Sequence, residues 1–363
     1  MIRDEGIISP LVRGGLLGLG VGWYVFNSID LSQNMIAWLF IILGAGVVLS
    51  GLMKWISPGT PFNRLGGSIA GGLVIALFMT QGFSFITSLS SLGSLGPFTA
   101  QDTKTFTGAS TEPGVYFKVE NFNGPVTVST WDRNEYEVKA VVKARGFSQS
   151  EADENLAKMT VSLSKDVVGG RQQLVLDYDY PTTLIPPYNV EVDVKLPASS
   201  EIDLSLRSSN GDMILTDISR GGTISLSSSN GRFVFIDVYT DTITGKTSNG
   251  AVEGRVEASV MEVSTSNGRI ALTIIDTASG SYDLSTSNGA VDISAPVSAG
   301  YKLSAKTSNG AIDLSLPNLN YSKDTKTEKS AQTTGYDAFA VKIILNVSTS
   351  NGNVKVGPSG TML

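Results

Sequence analysis

The chain of 363 residues contains no cysteine and no histidine. The first absence excludes disulfides and thiolate nucleophiles, and the two together exclude Cys/His metal centres. Without histidine there is no Ser-His-Asp triad and no imidazole acid–base catalysis. Missing cysteine does not fix the compartment; it removes only the positive evidence for an oxidising one. A surplus of basic residues is lacking too. The net charge of −6 argues against nucleic acid as a partner. Calcium-binding glycine-aspartate nonapeptides and phosphate-loop glycine spacing do not occur either.

Charge is scarcest in the first third. Residues 1–99 hold only Arg3, Asp4, Glu5, Arg13, Asp30, Lys54 and Arg64 as charged side chains. Apolar runs take their place: "GGLLGLGVGWYVF", "MIAWLFIILGAGVVLSGLMKW" and "LGGSIAGGLVIALFMTQGFSFITSL". A membrane span needs about 20 mostly apolar residues, so these runs predict three transmembrane helices over about 11–27, 35–55 and 65–89. The first is short and carries Arg13, which would snorkel to the interface; a cleaved signal peptide is its competing reading. Arg3, Arg13, Lys54 and Arg64 share one side if the N-terminus is cytoplasmic. Residues 100–363 are then extracytoplasmic, and the partners of the first third include membrane lipid. Gly14, Gly18 and Gly22, then Gly67 with Gly71 and Ser68 with Gly72, stand four apart. Small residues so spaced let helices pack closely, within one chain or between two copies as a homo-oligomer. The spans carry no mid-membrane acid or base, which argues against a transport path.

A Ser/Gly-rich linker follows over 91–111, then a β-rich segment over 112–198. Alternation in "YEVKAVV" marks a strand. "SQSEADENLAKM", with serine first and acids in its opening turns, predicts the one helix of this region.

From residue 199 to 363 one motif dominates. "SSNGDMIL", "SSNGRFVF", "TSNGAVEG", "TSNGRIAL", "TSNGAVDI", "TSNGAIDL" and "TSNGNVKV" repeat a single turn. Its asparagines are Asn210, Asn230, Asn249, Asn267, Asn288, Asn309 and Asn351, and its glycines Gly211, Gly231, Gly250, Gly268, Gly289, Gly310 and Gly352. A period near 20 is a solenoid signature. The last step is doubled, which predicts a coil masked or replaced by a polar insert over about 318–340. Apolar residues four and six before each asparagine and three after it place one strand on each side of the turn. By strand parity the asparagines, with the Ser/Thr two before them, face inward and stack into a hydrogen-bonded ladder. The glycines supply a positive φ at the corner. The expected fold is therefore membrane-anchored and mainly β: a three-helix transmembrane module, then a parallel β-solenoid of about 20-residue coils. Asn-Gly is also the strongest hairpin signal, so an antiparallel meander or propeller-like sheet is the alternative. "NFNGPVTV", with Asn123, looks like a further relative of the turn.

The stretches "VENFNGPVTVSTWDRNEYEVKAVV", "LVLDYDYP" and "YNVEVDVKLPASSEIDLSLRSSNGDMILTD", with the repeats after them, resemble a family of candidate adhesin domains of unknown function in bacterial and archaeal envelopes. The resemblance covers roughly 112–357 and leaves out the three apolar runs. It implies a β-solenoid-like repeat domain and adhesion, and it carries over no catalytic residues; no cofactor is expected.

Glu253, Asp292 and Asp313 stand four after their asparagines. On adjacent coils Asp292 and Asp313 would neighbour one another as a weak calcium site, a sugar-binding pair or part of a solvated face. Asn320 and Asn346 fit the N-glycosylation pattern. The function expected is a non-enzymatic surface protein making repetitive contacts to envelope polysaccharide, surface proteins, cells or itself. An envelope-sensing protein is the alternative, and a glycan-active enzyme the third reading.

Overall fold

A computed structural model describes residues 15–21, 23–24, 35–56, 68–76, 96–181, 187–275 and 279–359. The chain divides into two compact units. The first takes in residues 1–97 with two short later segments, and its described residues before 77 are helical. Helix runs over 15–21 and 23–24, Met35–Ile56, and 68–76. A side chain on Gly18 would run into the backbone of Ile69, and one on Gly72 into that of Gly15. Glycine here lets two helices of one chain meet backbone to backbone.

The expected three-span membrane module requires correction. Among the described residues no helix is long and apolar enough to cross a membrane. The rest of the runs expected over 11–27 and 65–89 lies outside the described residues.

The second unit is mainly β. Among the described residues 21 strands join in one hydrogen-bonded sheet. In chain order they are β1 (Phe98–Ala109), β2 (Gly114–Glu120), β3 (Val126–Trp131), β4 (Glu135–Gly146), β5 (Thr160–Val168), β6 (Arg171–Asp179) and β7 (Tyr188–Pro197). Next come β8 (Glu201–Ser208), β9 (Met213–Thr216), β10 (Gly221–Ser228), β11 (Phe233–Thr247), β12 (Val252–Thr265), β13 (Ile270–Ile274) and β14 (Gly280–Thr286). The last are β15 (Val291–Ala295), β16 (Gly300–Thr307), β17 (Ile312–Leu314), β18 (Leu319–Asp324), β19 (Glu328–Thr333), β20 (Lys342–Thr349) and β21 (Val354–Pro358). A short helix, Gln149–Ala157, lies between β4 and β5.

Each coil is a strand, the Asn-Gly corner, and a second strand. Strands before the corner stack in parallel as a front ladder: β2, β8, β10, the second half of β11, the second half of β12, β14, β20, β16. Strands after it form the back ladder: β3, β9, the first halves of β11 and β12, β13, β15, β21, β17. Pairing runs through equivalent positions. Leu206, Leu226, Gly245, Val263, Leu284, Val347 and Ala305 lie side by side, all four residues before their asparagine. Met213, Phe233, Val252, Ile270, Val291, Val354 and Ile312 do the same behind. Period-2 alternation turns these rows inward, and they form one continuous core between the ladders. Gly245 stands where its neighbours carry leucine or valine because the Phe233 ring fills that space.

Two expectations about coil order change. No coil is masked. The chain's last coil, with Asn351, enters between the coils of Asn288 and Asn309. The polar insert is the antiparallel hairpin β18–β19 with a 3-10 turn at Tyr336–Ala338, and β19 pairs on the outer side of β16. At the other end β2 and β3 form a coil of their own, with antiparallel β5–β6 and β4–β7 pairs beyond it.

Candidate functional site

The repeated corner brings all seven predicted asparagines together, and Asn123 with them. Each Nδ2 donates to the Oδ1 of the coil before it. The bonds run Asn210 to Asn123 and Asn230 to Asn210 at 2.6 Å, then Asn249 to Asn230 and Asn267 to Asn249 at 2.7 Å. Asn288 to Asn267, Asn351 to Asn288 and Asn309 to Asn351 follow at 2.8 Å. The asparagine backbone N–H groups bond in the same direction, as from Asn249 and Asn267 to the carbonyls of Ser229 and Ser248.

The inward orientation expected for these asparagines is corrected: in all seven repeats the asparagine is exposed. Strand parity ends two residues earlier, at the last inward position. That position holds Ser208, Ser228, Thr247, Thr265, Thr286, Thr307 and Thr349, all buried. Here the hydroxyl works twice. Thr265 Oγ1 accepts from Gly268 N–H at 3.1 Å and donates to the Gly250 carbonyl at 3.0 Å. Thr247 and Thr286 make the same pair of bonds, so no buried hydroxyl or glycine group among them lacks a partner.

The role expected for the glycines changes as well. Gly211, Gly231, Gly250, Gly268, Gly289, Gly310 and Gly352 do not have positive φ; only Gly124, in the first coil's corner, does, at 106°. Stacking is what requires them. A Cβ on any of the seven would enter the carbonyl of the glycine in the coil beneath, so the coils can approach only without side chains there.

Directly before each repeat asparagine stands an exposed serine: Ser209, Ser229, Ser248, Ser266, Ser287, Ser308 and Ser350. The corner thus presents two parallel exposed rows, hydroxyls and amides, with no charge in either. This second row is legible in the recurring "SN", although strand parity alone gives it no role. Ion pairs begin one residue past the glycine. Arg232 bonds both carboxylate oxygens of Asp212 at 2.8–3.0 Å and reaches Glu253 at 3.0 Å. Burial pushes the Asp212 carboxyl up, but the hydrogen bonds and charge of Arg232 outweigh it and hold the group below its ordinary value.

The structure separates the acids that the repeat placed in one register. Lys355 lies between Asp292 and Asp313 as cross-strand partner of both, because the last coil enters there. Asp292 pairs instead with Arg269 at 2.7 Å, and Glu253 with Arg232. Among the described residues no group of three acids could hold a metal ion.

Parallel coils, a buried hydroxyl ladder and an exposed amide ladder define a coil-stacked β-repeat domain. The chain belongs to the Toastrack DUF4097 family, whose model matches residues 117–357. Nothing among curated proteins matches it. Solved structures similar to it include a candidate cell adhesion protein from Clostridium sporogenes, 9% identical, covering 72% of this chain and 100% of its own, TM-score 0.36. A candidate adhesin from Bacteroides fragilis is 9% identical over 72% of this chain and 99% of its own, TM-score 0.32. A candidate lipid-binding protein from Parabacteroides distasonis is 11% identical over 70% of this chain and 96% of its own, TM-score 0.34.

Proposed function

We propose that this is a non-enzymatic, adhesin-like surface protein that makes repetitive contacts with envelope polysaccharide through its asparagine corner. The observation that carries this is the pair of exposed, uncharged rows, seven serines beside seven repeat asparagines, renewed once per coil. The amides of Asn210, Asn230, Asn249, Asn267 and Asn351 each spend one donor and one acceptor on their neighbours and keep one N–H and one lone pair for solvent or a ligand. A strand spacing of about 4.8 Å sets the repeat of these groups. Many weak, identical contacts add up by multivalency, which suits a polymer. Arg232 bridges Asp212 and Glu253 beside the rows.

The test is retention of insoluble envelope polysaccharide by the full chain fixed on beads. The comparison is a variant with Ser229, Ser248, Ser266 and Ser287, all exposed, changed to Lys, its fold checked by circular dichroism. Saturable retention that falls at least tenfold in the variant is expected. A folded wild-type chain that retains none of these polymers, or a variant that retains them equally, overturns the proposal.

A further inference from the structure

The far end of the front ladder carries a groove of about 600 Å³ on its outer face. It lies across β20, β16, β19 and β18. Register builds its floor. One row of cross-strand partners runs Ile344, Lys302, Gln332, Asn320, and the next runs Asn346, Ser304, Ser330. All but Ser330 are exposed, and all seven line the groove. Among the lining residues there is one ammonium group, that of Lys302, and no carboxylate. Lys302 is positioned by the Tyr336 ring, 4.7 Å from its Nζ, and Tyr336 is itself buried. Ion pairs of Lys323 with Glu328 and Lys329 with Asp324 bound the hairpin side.

We infer that this groove binds an acidic oligosaccharide. The volume lies within the range of about 300–1,000 Å³ typical of small-ligand sites. Side-chain amides of Asn346 and Gln332 each offer both donors and an acceptor, and Asn320, one of whose N–H groups bonds Thr334 Oγ1 at 3.0 Å, offers the other donor and its acceptor, the complement of adjacent sugar hydroxyls. Ser304 adds a hydroxyl that does both. Ile344, 39% exposed, gives the C–H face of a sugar ring an apolar surface. Lys302 then meets the sugar's carboxylate by a charge-assisted hydrogen bond. No covalent step is involved. The site is built only because the last coil enters between its neighbours and sets Ile344 and Asn346 beside Lys302 and Ser304. It goes beyond the corner reading and stands on different residues.

The test is titration of the full chain with tetragalacturonate, followed by calorimetry and ligand-observed saturation-transfer NMR. Maltotetraose serves as the neutral sugar and a glutamate tetrapeptide as the non-sugar anion. Tetragalacturonate is expected to bind with a Kd of about 1 mM or tighter. Lys302→Ala should weaken it at least tenfold and Asn346→Ala severalfold, with unchanged melting temperature, since both side chains are exposed. The corner variant with four serines changed to lysine should bind it as wild type does, so failure of the corner reading leaves this result intact. No saturation transfer to tetragalacturonate, equal binding by Lys302→Ala, or equal binding of either comparator overturns the inference.

Discussion

The two corners of a coil obey different rules. At the asparagine corner every repeat uses Ser or Thr, then Ser, Asn and Gly. At the opposite corner the described coils share less: two use a left-handed aspartate before a buried aliphatic residue, Asp217 with Ile218 and Asp237 with Val238, and others do not. After β9 the chain turns at Asp217, with φ 55°, and buries Ile218. Within β11 and β12 it bends without leaving the strand, at Asp237 with φ 51° and at Gly254 with φ 128°. Between β15 and β16 it passes Pro296 and an exposed Val297. The difference lies in what each side chain bonds to. An opposite corner needs only to reverse the chain, and many sequences do so. At the asparagine corner the partner of each side chain is its own copy one coil away, so a change in one coil strands groups in two.

That contrast can be broken most severely at Gly250. Gly250→Ala should cost about 4 kcal/mol or more, or prevent folding, because the new methyl enters the Gly231 carbonyl. Chemical denaturation of the full chain measures it, and a loss under about 1 kcal/mol would show that the stack can open. Tyr282 sharpens the comparison from inside the core. Burial is the main cause that pushes its hydroxyl up to about 12, against the smaller effect of an Ala258 N–H bond. The folded pKa is raised, so its contribution is whole below pH 10 and lost as pH climbs from 10 to about 12. The loss is about 2.7 kcal/mol, and Tyr282→Phe should flatten that part of the stability–pH curve.

Thr265→Val keeps the shape but removes the hydroxyl that serves Gly268 N–H and the Gly250 carbonyl. The expected cost is about 2–3 kcal/mol, read from the shift in denaturation midpoint at constant slope. Asn267→Ala removes two amide bonds at an exposed position, so about 1 kcal/mol is expected. Asn309→Ala, at the ladder's end with a single amide bond, should cost about half that. Val297→Ser at an opposite corner, 57% exposed, should change stability by less than about 0.5 kcal/mol. An effect there as large as at Asn267 would erase the distinction between the corners.

Much of this corner is written in local sequence. The spacing of Leu206, Leu226 and Val263 before the asparagines, and of Met213, Phe233 and Ile270 after them, marks the buried faces because strand period is 2. Neighbour identity is not written there. All corners carry the same chemistry, so a 42-residue step reads equally well as a missing coil or as a coil set elsewhere. For the same reason Asp292 and Asp313 look adjacent until Lys355 is placed between them. The orientation of the asparagines escapes a parity argument because parity holds only while the chain stays extended, and the turn begins one residue after Thr265. Glycine is ambiguous as well. It signals positive φ and close approach alike, and only the coil beneath shows which applies. The saccharide groove is the least legible feature, since its floor joins residues 300–334 to residues 344–346 through the displaced coil.

That displaced coil also gives the protein a birth order. Domains fold as they leave the ribosome, from the N-terminus onward. Coils through Asn288 can stack in the order in which they are made. The next place in the stack belongs to β20 and β21, which come later in the chain than β16 and β17. The stack therefore closes only once residues 342–358 have been made, after the coil of Asn309 that they lie beside. A chain stopped short at residue 340 loses an interior layer rather than an outer one.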